Sequence, residues 1–129
     1  MEQKYLMDGL VLTKRMGNLL NEVLDLSREL AQAVDRNDPV SVEMLVAMRR
    51  EPIKKLTEVD EALRELVLSA PDGDTGAHLA GLLEGGPAEL PEERTLAELA
   101  ASNRRRLNQV LELDKRVNQK LTREESVYQ

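Results

Sequence analysis

From Gln3 to about Arg36 the chain carries two adjoining apolar stripes at helical spacing, and this feature narrows its fold more than any other. Alternating steps of three and four residues trace one stripe through Tyr5, Gly9, Leu12, Met16, Leu19, Val23, Leu26, Leu30 and Ala33. Leu6, Leu10, Leu20, Leu24, Ala31 and Val34 form the second. A single narrow stripe suits one neighbour. Two side by side make a face wide enough for two. Lys14, Arg15, Glu22, Asp25 and Arg28 fall opposite. The spacing therefore predicts a helix about 50 Å long at 1.5 Å per residue, with two partners on its apolar side.

Asn37-Asp38-Pro39 interrupts this pattern. Asp38 can cap a following helix by accepting a backbone N–H, and Pro39 suits the first helical position, where its missing donor costs nothing. A connection this short predicts an antiparallel hairpin. The second helix is expected from Pro39 to Ser69, with a stripe of Val42, Leu45, Met48, Pro52, Leu56, Val59, Leu63, Leu66 and Ala70, and Ile53 beside it. Pro52 sits inside the pattern. It removes one backbone hydrogen bond and crowds the preceding turn, which predicts a kink or a break into two shorter helices.

Residues 71–94 hold five of the seven glycines and three of the five prolines, and read as a Gly/Pro-rich loop. Leu79 to Leu83 is the one apolar patch within it, long enough for one or two helical turns. The third long helix is expected after Pro91, running over 95–123. Its stripe is Leu96, Ala100, Asn103, Leu107, Val110, Asp114, Val117 and Leu121, broadened by Leu99, Leu111 and Leu113. Asn103 and Asp114 are polar on an apolar seam, costly unless paired or wet, and they predict that this helix docks more loosely than the hairpin. The polar tail from Glu124 is expected to fray.

The expected architecture is thus all-α: a long antiparallel helical hairpin over 3–70 plus a third long helix, a coiled-coil-like three-helix bundle in one domain of 129 residues. Composition agrees. There is no Phe, Trp or Cys, and Tyr5 and Tyr128 are the only aromatics, so the core must be Leu, Val, Met and Ala, as in narrow helical seams. The absence of cysteine excludes disulfides and thiolate metal sites and fits a reducing, cytoplasmic setting. No signal-peptide core opens the chain, and no apolar run approaches the roughly 20 residues a membrane span needs. A net charge of −6 disfavours nucleic acid and anionic membranes as partners.

Signals for catalysis are weak. His78 is the single histidine and sits in the Gly-rich segment with no partner the sequence identifies, so it reads as a loop or surface residue. Asp72-Gly73-Asp74-Thr75-Gly76 faintly resembles a calcium loop but lacks a third acidic ligand and a closing glutamate, and reads as a turn. Asp25 with Glu29, and Glu58 with Glu61, lie at helical spacing without the Glu-x-x-His of a di-iron site, and read as solvated faces. Arg104, Arg105 and Arg106 splay around a helix rather than forming one patch. Met7, Met16, Met44 and Met48 suit core filling first and an adaptable binding surface second. No catalytic, cofactor or metal site is expected.

A family resemblance rests on three stretches. The run from Glu29 to Asp38, followed by Val42, Leu45, Arg49 and Ile53, resembles the hairpin of bacterial flagellar export chaperones of the FlgN/FliT type. The short Leu-rich segment (Leu79, Leu82, Leu83), the Pro91-Glu92-Glu93 start and the last helix with Asn103, Asn108 and Asn118 are also similar to that family. The resemblance implies a cytoplasmic chaperone without catalysis. Such a protein holds the C-terminal amphipathic helix of a hook-junction or filament-cap subunit and hands it to the export gate. Docking of a helix in an apolar groove points to Leu107, Val110, Leu111, Val117 and Leu121 as contacts, unless they simply form the bundle's own core. The alternative is a self-associating coiled-coil adaptor in which the wide face of the first helix makes a homodimer.

Overall fold

The computed structural model describes residues 2–128, and the side chains of residues 2–123. Four helices follow in order: α1 Gln3–Asp35, α2 Pro39–Leu68, α3 Gly73–Leu83 and α4 Pro91–Tyr128. No strand occurs among the described residues. The architecture is an all-α bundle, as the stripes predict. No described helix is long and apolar enough to cross a membrane.

The hairpin turn is built from its own three residues. Asn37 takes the left-handed conformation (φ 55°), and the N–H groups of Asn37 and Asp38 donate to the carbonyls of Val34 and Ala33. This pairing satisfies the last carbonyls of α1, and asparagine tolerates the left-handed region better than most residues. Asp38 then starts α2: its carboxylate accepts from the Ser41 N–H at 3.1 Å and the Ser41 hydroxyl at 2.6 Å. These bonds, with Arg36 at 3.3 Å, hold the Asp38 carboxyl below its ordinary range. At the far end of the hairpin the Tyr5 hydroxyl donates to the Ser69 carbonyl at 2.8 Å, fastening the start of α1 to the end of α2.

α1 is the central strut. α2 and α4 both pack on its apolar face, flanking it. Near the turn, Leu30, Ala33 and Val34 meet Leu45 of α2 and Val117 of α4. In the middle, Val23 and Leu24 meet Val110, with Leu56 packed against them. At the other end Leu6 meets Leu79, Leu82 and Leu96. Gly9 marks the point where a Cβ would sit 3.5–3.9 Å from Leu96 of α4, Leu79 of α3 and Leu66 of α2, so three helices converge on it. α4 runs parallel to α1, since Leu96 lies near Leu6 and Val117 near Leu30.

Three expectations need correction. α2 runs unbroken from Pro39 to Leu68 with Pro52 buried inside it, so the proline does not divide the helix. Residues 73–83 form an 11-residue helix rather than a loop with one or two turns. α4 continues to Tyr128, beyond the expected end at Arg123; the side chains of its last turn lie outside those described.

Candidate functional site

α2 and α4 both lie on α1, yet among the described residues no Cα of α2 comes within 8 Å of a Cα of α4. The two helices therefore form the walls of a groove whose floor is α1. One end of this groove is already filled, and by a helix. α3 touches α1, α2 and α4. It begins beside the end of α2, where the space at Gly76 is so tight that a Cβ would lie 3.2 Å from the Val67 carbonyl. It ends with Leu83 packed against the cluster of Leu19, Val59 and Leu63. α3 thus lies lengthwise in the groove, with Leu79 and Leu82 fully buried beneath it.

The sequence accounts for both ends of α3. Asp72 caps its start, accepting from the Thr75 N–H at 2.7 Å and hydroxyl at 3.2 Å; these bonds hold the Asp72 carboxyl below its usual value. Gly85 closes it in the left-handed conformation (φ 80°), with Gly85 and Gly86 N–H groups donating to Leu82 and Gly81. A Cβ on Gly85 would also come 3.2 Å from Ala101 of α4, so only glycine fits both the backbone angle and the approach.

His78, read from the sequence as a bland loop residue, lies on α3 and has a partner. Its Nε2 is 2.8 Å from Oε2 of Glu93 in the first turn of α4. Glu93 is 1% exposed. Its other oxygen accepts from the Leu90 N–H at 3.2 Å, the reach-back bond of a capping box. Burial works against the charge of Glu93, but the His78 and Leu90 hydrogen bonds outweigh it and hold the carboxyl below its ordinary value of 4.5. With the carboxylate ionised, the ring nitrogen is the donor. The pair latches α3 to α4.

Beside α3, Met16 of α1, Leu63, Val67 and Leu68 of α2, Ala80 and Leu83 of α3 and Arg104 of α4 line a cleft of about 580 Å³. Farther along, a polar node crosses the groove. Arg49 Nη1 donates to Asp114 Oδ1 at 2.6 Å and to the buried Ser27 hydroxyl at 2.9 Å, tying α2, α4 and α1 together. The other seam residue, Asn103, donates to the Thr13 carbonyl at 2.9 Å and accepts from Arg106 at 3.2 Å. Both polar residues expected to loosen the last helix are therefore paired. Beyond the node, Arg116 and Lys120 of α4 reach Asp35 at 2.6 and 3.3 Å.

The five anticipated contact residues divide. Val110 and Val117 are buried in the chain's own core, and Leu121 is half-buried against the cluster at the hairpin turn. Leu107 and Leu111 stay 43% and 54% exposed. They lie between Arg104, which lines the cleft, and Asp114, which bridges to α2, so they form the α4 edge of the groove. On the α2 edge, Ile53 stands one turn from Arg49 and two turns from Asp60, and is likewise exposed. Sequence reading placed Ile53 beside the stripe without giving it a role. Its helical phase relative to Arg49 was the available signal, but using it requires knowing that Arg49 faces α4.

No described protein family, curated protein or solved structure shows significant similarity to this chain.

Proposed function

We propose that this chain is a non-catalytic, cytoplasmic helix-binding protein acting as a flagellar export chaperone, holding the C-terminal amphipathic helix of a hook-junction or filament-cap subunit before export. One observation supports helix binding above others: a helix, α3, already lies in the groove between α2 and α4, and an apolar cleft lined by Leu63, Val67, Leu68 and Leu83 borders it. A helix-in-groove partner needs a trough of this kind. The flagellar identity of the partner rests on the hairpin, the Leu-rich segment and the asparagines of the last helix.

The self-association reading relied on the wide face of α1. That face is covered within one chain by α2, α3 and α4, so nothing specific favours it.

The test is co-elution of the purified protein with purified hook-junction and filament-cap subunits, each intact and lacking its C-terminal helix, with mass measured by light scattering. A complex with one subunit, lost on removing that helix, is the expected result. Failure to form a complex with any of them removes the flagellar reading.

A further inference from the structure

One flank of α2 carries apolar side chains that the chain leaves uncovered. Val40, Met44 and Met48 follow on successive turns and are 77%, 55% and 50% exposed. Ala47 lies among them and is exposed as well. Met44 and Met48 thus stand outside the core, against the first expectation for them. At about 100° per residue, Ala47 sits nearly half a turn from Arg49, so the stripe looks away from α4, to which Arg49 is bonded. No other helix has three exposed large apolar side chains on successive turns among the described residues. Single exposed apolar side chains are ordinary, whereas a contiguous stripe marks an interaction surface, and methionine suits one because it repacks easily.

The charges beside the stripe indicate what covers it. Glu43 and Arg50 lie two turns apart on the same flank, one towards each end, and both are exposed. Neither has an ion-pair partner among the described residues. The midpoint between them falls beside Ala47, the smallest side chain of the stripe, where a second helix can approach most closely.

We infer that this face of α2 docks a second copy of the chain, α2 against α2 in antiparallel orientation about a two-fold axis beside Ala47. A two-fold interface uses one patch twice, so the patch must complement itself. This one does. The axis brings Glu43 of each chain to Arg50 of the other, so both unpaired charges are matched twice over. It also sets Met44 beside the other chain's Met48, with the two Ala47 residues facing across the axis. A parallel pairing puts identical residues at the same height and gains neither match. The covered face of α1 plays no part, and the surface is separate from the cleft beside α3. Four apolar side chains and two ion pairs make a small interface, with dissociation on the order of 10–100 µM.

Sedimentation equilibrium of the full chain from about 1 to 500 µM should show the mass rising from one chain towards two. Glu43→Arg should weaken association about 10-fold or more, as should Arg50→Glu, because each sets like charges together. Both changes in one chain restore the pairing with signs exchanged, and association should return to within about 3-fold of the parent. Met44→Asp with Met48→Asp should leave a monomer at every concentration with unchanged helical circular dichroism, since both side chains are exposed. The chain has no cysteine of its own, so Ala47→Cys should give a covalent dimer on oxidation, while Thr57→Cys, exposed on α2 away from the stripe, should not. A monomer throughout the range or a dimer that survives the methionine changes would overturn the inference. So would a double charge variant no better associated than either single one, or cross-linking no faster at Ala47 than at Thr57.

Discussion

Asn103 shows how one residue sets register between two helices. Its amide donates to the Thr13 carbonyl of α1, and Gly17 lies directly beneath, where a Cβ would come 2.9 Å from Asn103 Oδ1. The glycine makes room for the amide, so the two positions should be coupled. Asn103→Ala is expected to lower stability by about 1–3 kcal/mol through loss of buried hydrogen bonds. Gly17→Ala alone should also destabilise, because the buried amide cannot withdraw. In the Asn103→Ala background the same change should instead stabilise by about 1 kcal/mol, the helix preference of alanine over glycine. Urea denaturation of the four proteins reads this change of sign directly. Glu93 sets a second expectation. Its folded carboxyl lies below the ordinary value of 4.5, so its contribution is fully present above that value and is lost as pH falls through it and below the folded pKa. Asp35, held down by Lys120 and Arg116, works in the same direction from an ordinary value of 3.8. Stability should therefore fall with acid from about pH 4.5 downward, and Glu93→Gln should show a shallower acid limb in thermal melts across pH. The sequence marked Asn103 and Asp114 as polar residues on a seam. It did not show their partners, because Thr13 and Arg49 are 90 and 65 positions away and nothing local connects them.

At the scale of elements, legibility followed the origin of each helix's stability. α1, α2 and α4 announce themselves through long stripes, and Asp38 caps α2 as its position suggests, whereas α4 starts at Pro91, four residues before the expected 95. α3 was obscured because Gly73, Gly76 and Gly81 each disfavour a helix by about 1 kcal/mol. What holds it is distant: the burial of Leu79 and Leu82 against Leu6 and Leu96, and the His78–Glu93 latch. The same competition explains Pro52, whose ring is buried in a helix that the flanking apolar turns carry across it. If tertiary packing sustains α3, Leu79→Ala should cost about 2–5 kcal/mol, the range for a fully buried leucine. Asp72→Ala, on an exposed cap, should leave the global unfolding transition nearly in place while hydrogen exchange quickens at Thr75 and its neighbours. Amide exchange followed by mass spectrometry separates these outcomes. A rise in exchange confined to α3 would identify it as the least stable part of the bundle. A rise shared with α4 would show that the latch makes the two one cooperative unit.

Across the whole molecule, α1 supports three helices while α2 and α4 meet each other only through side chains reaching over it. Of those links, the Arg49–Asp114 bridge is the charged one among the described residues. Its side chains are 15% and 33% exposed, too sheltered for water to replace the pairing freely. Arg49 Nε is buried without a partner, so the node is already short of one acceptor. Removing Asp114 alone, as Asp114→Ala, strands the guanidinium on Ser27 and should lower stability by about 1–3 kcal/mol, the range for losing a hydrogen bond to a charged group. Replacing both partners, as Arg49→Met with Asp114→Leu, should recover most of that loss, since apolar side chains of similar volume often substitute for a sheltered ion pair without net cost. Stability alone therefore does not explain an ion pair at this place. Its geometric consequence is different: it ties α2 to α4 across α1. The double variant should fold as well as the parent yet show faster amide exchange along the facing stretches of α2 and α4. Unchanged exchange would show that packing on α1 alone holds the two helices in place. Faster exchange at unchanged stability would assign the bridge to restraining local motion of α2 and α4 rather than to global folding.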